Sequence, residues 1–172
     1  EAGHLEIERV PFRPRETLEY CRDLILPEAR KQGLSFSFFP DPDLPEWLIG
    51  DSTRLGQVVS NLLNNAVKFT ETGEIVFASH YNAGEGQLSV TVRDTGRGIS
   101  PEWHAAVFEP FFRTREEGVA VKDGSGLGLA ISRKLAAMMG GEIEIGSAAG
   151  KGSTFTLRLP LPVSPPSGDE SA

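Results

Sequence analysis

The segment DSTRLGQVVSNLLNNAVKFT, residues 51–70, carries two kinds of residue in one helical register. Placed at about 100° per residue, Leu55, Val58, Val59, Leu62, Leu63, Ala66 and Phe69 fill one side, the side that should pack on a sheet. Arg54, Gln57, Asn61, Asn65 and Lys68 gather in a stripe along one edge of it, while Ser60 and Asn64 point elsewhere. A solvated helix face ordinarily mixes Glu and Lys, and Asn is a poor helix former with no obvious reason to recur there. The side-chain carbonyls of Asn61 and Asn65, one turn apart, could offer oxygen ligands to a hydrated Mg2+, and Lys68 could neutralise phosphate charge. Taken alone, an amphipathic surface helix explains the same stripe.

A second constellation closes the segment LSVTVRDTGRGIS. Leu88, Val90 and Val92 share one strand face, and the two-residue period carries Asp94 into the same inward row. A carboxylate aimed at a core must find donors or lose its charge. An adenine amino group is one such donor, and Gly96 and Gly98 would let a flat ring approach the backbone. A strand-ending turn is the plainer reading of Asp-Thr-Gly. The third cluster, GSGLGLAIS from Gly124, sets three glycines directly ahead of a helix, whose start offers unsatisfied N–H donors to an anion. It is not the dinucleotide fingerprint, because the spacing is wrong and no strand precedes it. GSAAGKGS, for its part, falls one residue short of a P-loop, and its lysine is followed by Gly152. What survives is a long loop with Arg113, Arg115 and Lys122 that could close over a triphosphate; a plain linker is the alternative.

The elements that must position these residues follow from periodicity. HLEIERVPF alternates as a strand or extended lead-in; Leu18, Cys21, Leu24, Ile25 and Ala29 mark a helix over 15–32 that Pro27 would kink or stop. LSFSFFPDP is strand-like, and Asp51 or Ser52 caps the helix that runs to about Phe69. GEIVFASHY and GQLSVTVRD form a hairpin across NAGEG. SPEWHAAVF predicts a short helix with Ser100 as cap and Pro101 at its first position. Leu127 to Met139 is a helix ended by Gly140-Gly141, EIEIGS and STFTLRLPL a second hairpin, and PVSPPSGDESA a tail or linker. Antiparallel pairs interspersed with helices predict an α+β sandwich, one sheet face covered by helices and the other left to solvent.

Composition sets outer bounds. With 17 basic and 24 acidic residues in 172, a net charge of -7 argues against a broad nucleic-acid-binding face. Cys21 is the only cysteine, so no internal disulfide forms, and a reducing cytoplasmic setting fits. No apolar run approaches the roughly 20 residues of a spanning helix. The segment is therefore expected to lie in the cytoplasm without direct membrane contact. An inner-membrane anchor elsewhere in a longer protein is compatible with this. The lack of an initiator Met points to a piece of something larger.

In order along the chain, NLLNNAVKFT, DTGRGI, FEPFF, GSGLGLAI and GKGSTFTLRLPL resemble the asparagine, first glycine, phenylalanine, second glycine and last glycine boxes of the Bergerat-type ATPases. The resemblance is closest to sensor histidine kinases of the hybrid type, and it spans about Leu5 to Leu161. It implies a two-layer α/β sandwich with a mixed, mostly antiparallel sheet. Residues 1–10 would be the end of the linker from a dimerisation helix and the first strand. Residues 11–161 would be the ATP-binding catalytic domain, with a lid over about 111–126, and 162–172 a flexible C-terminal linker or tail.

By the same resemblance, Asn61 and Asn65 hold Mg2+ against the phosphates of ATP and Lys68 contacts a phosphate, which makes Asn61 and Lys68 the catalytic residues. Asp94 accepts from the adenine N6 amino group; Gly96, Gly98 and Ile99 shape that end of the pocket, and Thr154 lies near it. Gly124, Gly126, Leu127, Gly128 and Leu129 belong to the glycine hinge that folds the lid over the triphosphate, with Phe108, Phe111 and Phe112 anchoring the lid.

Hydrolysing members of the superfamily carry Glu one turn before the metal-binding Asn, where Asn61 stands here. An amide cannot take the proton of an attacking water. The resemblance therefore implies transfer of the γ-phosphoryl group to a histidine. His4, His80 and His104 all lack the phosphoacceptor context, so the acceptor should sit on a separate dimerisation domain. The implied partners are that domain, a response regulator or receiver domain, and a second copy in a full-length homodimer, with no nucleic acid. The alternatives are a hydrolysing ATPase or serine kinase of the same fold, and a non-catalytic nucleotide-sensing or docking module.

Overall fold

The alternation in the middle of the chain folds as expected into an antiparallel hairpin, β4 (Glu74–Asn82) with β5 (Gln87–Asp94), in which Ile75 stands opposite Asp94. The computed structural model describes residues 6–109, 128–147 and 150–165. β7 (Ser153–Pro160) pairs antiparallel with the free edge of β5, and β6 (Glu142–Ser147) with β7, giving the second hairpin. β2 (Ser35–Phe39) lies parallel to β4, so the sheet order is β2-β4-β5-β7-β6 and the sheet is mixed, mostly antiparallel. With the helices packed beside it, this is the two-layer sandwich that the sequence predicts.

The inner face of the sheet is an apolar row. Ile75, Phe77, Leu88, Val90, Val92, Phe155, Leu157 and Leu159 are all buried. Onto it pack α1 (Pro14–Lys31), α2 (Ser52–Phe69) and α3 (Gly128–Met138). Leu55, Val58, Val59, Leu62, Leu63 and Ala66 of α2 are buried as the helical wheel requires. Pro27 does not stop α1. The helix runs through it because Leu18, Cys21, Ile25 and Ala29 are buried and hold the helix down on both sides of the break. No helix among the described residues is long and apolar enough to cross a membrane.

Asp51 is the N-cap of α2. It is buried, and its Oδ1 accepts from Arg54 N at 3.0 Å while its Oδ2 accepts from Glu8 N at 3.0 Å. The strand before it, β3 (Leu48–Gly50), stands apart from the main sheet and pairs antiparallel with β1 (Val10–Phe12). On its other side β3 takes the exit segment. Leu48 bridges Val163, Ile49 N donates to Pro162 O at 2.8 Å, and Ser164 N donates to Trp47 O at 3.0 Å.

Three local expectations change. Among the described residues of HLEIERVPF only Val10–Phe12 is strand, because β3 offers just three residues to pair with. SPEWHAAVF forms two 3-10 turns, Pro101–Trp103 and Ala106–Phe108, and Ser100 makes no side-chain cap bond. Only Val107 and Phe108 of these turns are buried, too short an apolar stripe to offset helix nucleation. Phe69 is 39% exposed rather than core, and Val67 takes the buried place. The series Leu55, Val59, Leu63, Val67 continues the four-residue ridge, whereas Phe69 is the helix's last residue, just before the extended cap at Thr70.

Candidate functional site

α2 meets its neighbours at two places along the edge that carries the amide stripe. Near its middle, Asn61 Nδ2 donates to Ser132 Oγ at 3.0 Å and to Gly128 O at 3.3 Å, both in the first turns of α3. A carbonyl oxygen only accepts, so the amide nitrogen is the atom that faces α3 and Oδ1 is turned away from it. Eight residues further, about 12 Å along the axis, the end of α2 closes on Gly96. A Cβ there would stand 2.5 Å from Phe69 O, 3.0 Å from Asp94 Oδ1 and 3.1 Å from Thr70 Oγ1, so only glycine fits. Asn65 and Lys68, both half-buried, lie on α2 between these contacts.

Asp94 continues the inward row, as the alternation predicts, and is 7% exposed. Its Oδ1 accepts from Gly96 N at 2.8 Å. Burial pushes its carboxyl pKa up, against the opposing pull of the Gly96 and Ser153 backbone N–H groups and the Thr70 hydroxyl. Thr70 Oγ1 lies beside the carboxylate without hydrogen-bond geometry, and among the described residues it is the one buried side-chain polar atom left unpartnered. A buried carboxylate and an unpaired hydroxyl thus share one corner. Buried polar groups are nearly always satisfied, so such a corner marks a place for a ligand or an ordered water.

The turn that carries Gly152 closes this corner from behind. Gly150 N donates to the carbonyl of Arg97, and Gly152 has φ +84° with a Cβ position that would run into the Asp94 carbonyl. The close approach of the two loops therefore requires glycine. On the rim, the Arg97 guanidinium and Lys68 Nζ stand 5.5 Å and 5.7 Å from the Phe69 ring. Gly98 lies in the same 94–99 loop, Ile99 and Leu129 pack against the core from the loop and from α3, and a His104 ring nitrogen is 3.0 Å from Ile99 O.

The asparagine helix, the first glycine loop, the last glycine turn and the start of α3 are thereby brought together. Thr154 is not. Register pairs it with Arg93, whereas Ser153 pairs with Asp94 and shares its buried face. The period-two alternation back from the buried Phe155 reaches Ser153, a count that finds the residue from the sequence. Ser132, Thr70 and Arg97 also escape the sequence reading. Ser132 is one turn from Gly128 and so on the same edge of α3, but its contact with Asn61 is long-range. Gly124, Gly126, Leu127, Phe111, Phe112 and the 111–126 lid lie outside the described residues.

Residues 50–163 match the family of histidine kinase-, DNA gyrase B-, and HSP90-like ATPases. Sensor histidine kinase RcsC of Escherichia coli K12 is 45% identical over 164 residues, covering 94% of this chain and 17% of RcsC. Sensor protein GacS of Pseudomonas syringae is 36% identical over 174 residues, 99% of this chain and 19% of GacS. The chain thus spans under a fifth of the length of these relatives. Among solved structures, full-length ShkA in complex with AMPPNP superposes with a TM-score of 0.83 at 33% identity, covering 95% of this chain and 33% of ShkA. The catalytic domain of histidine kinase ThkA does so with 0.74 at 30% identity, covering 89% and 95%. By sequence and by fold, the chain belongs to the histidine kinase-, DNA gyrase B-, and HSP90-like ATPase family and is similar within it to the catalytic domains of sensor histidine kinases.

Proposed function

We propose that this chain is the ATP-binding catalytic domain of a sensor histidine kinase, which hands the γ-phosphoryl group of ATP to a histidine on a separate dimerisation domain. The observation that carries the reading is the meeting of the asparagine edge of α2 with α3 at one end and with Asp94, Gly96 and Thr70 at the other. In this reading Asp94 accepts from the adenine N6 amino group, with Thr70 Oγ1 beside it. Gly96 and Gly98 admit the ring, and Ser153, rather than Thr154, is the residue of the last box that faces it. Lys68 and Arg97 supply positive charge for phosphate on a chain of net charge -7. Gly128 and Leu129 open α3 beside Asn61, on the side where the phosphates would lie.

Asn61 and Asn65 fit a hydrated Mg2+. They offer neutral oxygen donors one turn apart, and the bond from Asn61 Nδ2 to Gly128 O turns Oδ1 away from α3. When bound, the ion neutralises charge on the phosphates. The amide of Asn61 holds no basic site for a proton, so the chain has no general base there and water is a poor acceptor. The domain proper takes in 11–161, and the stretches that flank it are tied to it: Glu8 and Val10 hold to Asp51 and Gly50, and 162–164 hold to Trp47, Leu48 and Ile49. The further partners are a receiver domain and a second copy of the full-length protein, and the setting is cytoplasmic.

The test has two arms. Calorimetry with ATP and Mg2+ should give saturable binding by the 172-residue chain. Radiolabelled ATP should leave the chain alone unlabelled, and label a separately supplied dimerisation domain on histidine. Stable stoichiometric self-labelling, or steady-state hydrolysis near 1 per second, typical of competent enzymes, would refute the reading.

A further inference from the structure

Ser132 is fully buried inside α3 and has no part in the site as assigned above. A serine in a helix interior gains nothing over alanine in helix propensity and brings a hydroxyl that must be satisfied. Here that hydroxyl stands 3.0 Å from Asn61 Nδ2. Gly128, four residues earlier and so on the same edge of α3, sets its carbonyl 3.3 Å from the same nitrogen. The NH2 of an asparagine carries two hydrogens, and α3 provides an acceptor for each. The amide torsion of Asn is broad and roughly two-fold, so an untethered amide would present its NH2 to a cation about as readily as its oxygen. The two bonds to α3 remove that ambiguity.

We propose that Ser132 is a positioning residue: together with the Gly128 carbonyl it fixes the Asn61 amide so that Oδ1, not the NH2, meets the nucleotide-bound cation. The proposal rests on the reading of Asn61 as a metal ligand. It also joins the metal end of the site to the first turn of α3, the helix that follows the glycine hinge.

Ser132→Ala removes one oxygen from a closed site and should leave the fold intact. Two measurements test the claim. In nucleotide-free, metal-free protein, NMR should find the Asn61 side-chain NH2 slow to exchange in wild type and fast in Ser132→Ala, with Ser132→Thr restoring protection. Titration with AMPPNP should give an affinity about three- to tenfold weaker for Ser132→Ala with Mg2+ present, and unchanged with EDTA. Equal loss with and without Mg2+ would mean a merely structural role and overturn the proposal, as would wild-type affinity in Mg2+ or an Asn61 amide already fast in wild type. Failure of wild type to bind nucleotide, or binding indifferent to Mg2+, would instead bring down the functional reading, and the wild-type titration separates the two cases.

Discussion

Asp94→Asn puts the assignment of the adenine end to the sharpest test. The substitution keeps shape and an acceptor for Gly96 N while removing the charge and placing an NH2 where donors now point. A hydrogen bond to a charged acceptor contributes about 1.5–3 kcal/mol, so ATP affinity should fall about 10- to 150-fold. Stability should move far less. Burial already outweighs the bonds that favour ionised Asp94, so losing the charge relieves a desolvation cost while weakening the bond from Ser153 N. A net change within about 1 kcal/mol would shift Tm by about 2–4 °C for a domain of this size. Guanine carries an acceptor where adenine carries its N6 donor, so wild type should prefer ATP to GTP and Asp94→Asn should lose most of that preference.

The pH dependence has opposite signs for the two properties. Because the folded pKa of Asp94 lies above its unfolded value, the group's unfavourable contribution to stability is absent below the unfolded pKa and complete above the folded one. Wild type therefore loses ground to Asp94→Asn as pH rises through that window. Its ATP affinity gains over the same window, as the carboxylate ionises. Calorimetry and thermal melts across acid to neutral pH read both. Unchanged ATP preference in a folded Asp94→Asn protein would refute the reasoning, and so would collapse of the fold.

Gly96→Ala sets a methyl against the Phe69 carbonyl, which cannot swing aside, and should cost about 1–3 kcal/mol of stability together with nucleotide binding, read by urea melts and calorimetry. Asp51→Ala deletes the cap bond to Arg54 N and the bond from Glu8 N, and should lower stability by about 1–2 kcal/mol in the same melts while speeding hydrogen exchange at Glu8. Asn61→Asp turns a carboxylate on the Gly128 carbonyl and loses both donated bonds, so the melts should show a loss of about 1–3 kcal/mol, with no gain in phosphate release. Thr154→Val lies on the far face of the sheet and should leave ATP affinity unchanged by calorimetry.

What could be read from the chain in advance was whatever depends on short periods. Alternation carried Asp94 inward and paired the two hairpins, and the helical wheel laid out α2 with its amide edge. The rest was not legible, for three different reasons. Phe69 sits at the end of its helix, where the apolar side no longer decides burial, and Val67 takes its place. Likeness to a motif points to Thr154, whereas alternation points to Ser153, the residue opposite Asp94. The pairing of β1 with β3, and the bond from Asn61 to Ser132, join residues 36 or more positions apart, and no local pattern encodes such meetings. Among the described residues the boxes close on one another largely through contacts of that kind.

β3 is three residues long, yet the strand that enters the domain and the segment that leaves it grip its opposite edges, immediately ahead of the Asp51 cap. A pull on either end of the folded unit is borne first by backbone hydrogen bonds to Trp47, Leu48, Ile49 and Gly50, and the five-stranded sheet is loaded only after those yield. Tethers attached at both ends would accordingly share a single pivot beside the root of α2, and whichever of them turned would rotate the asparagine helix with it.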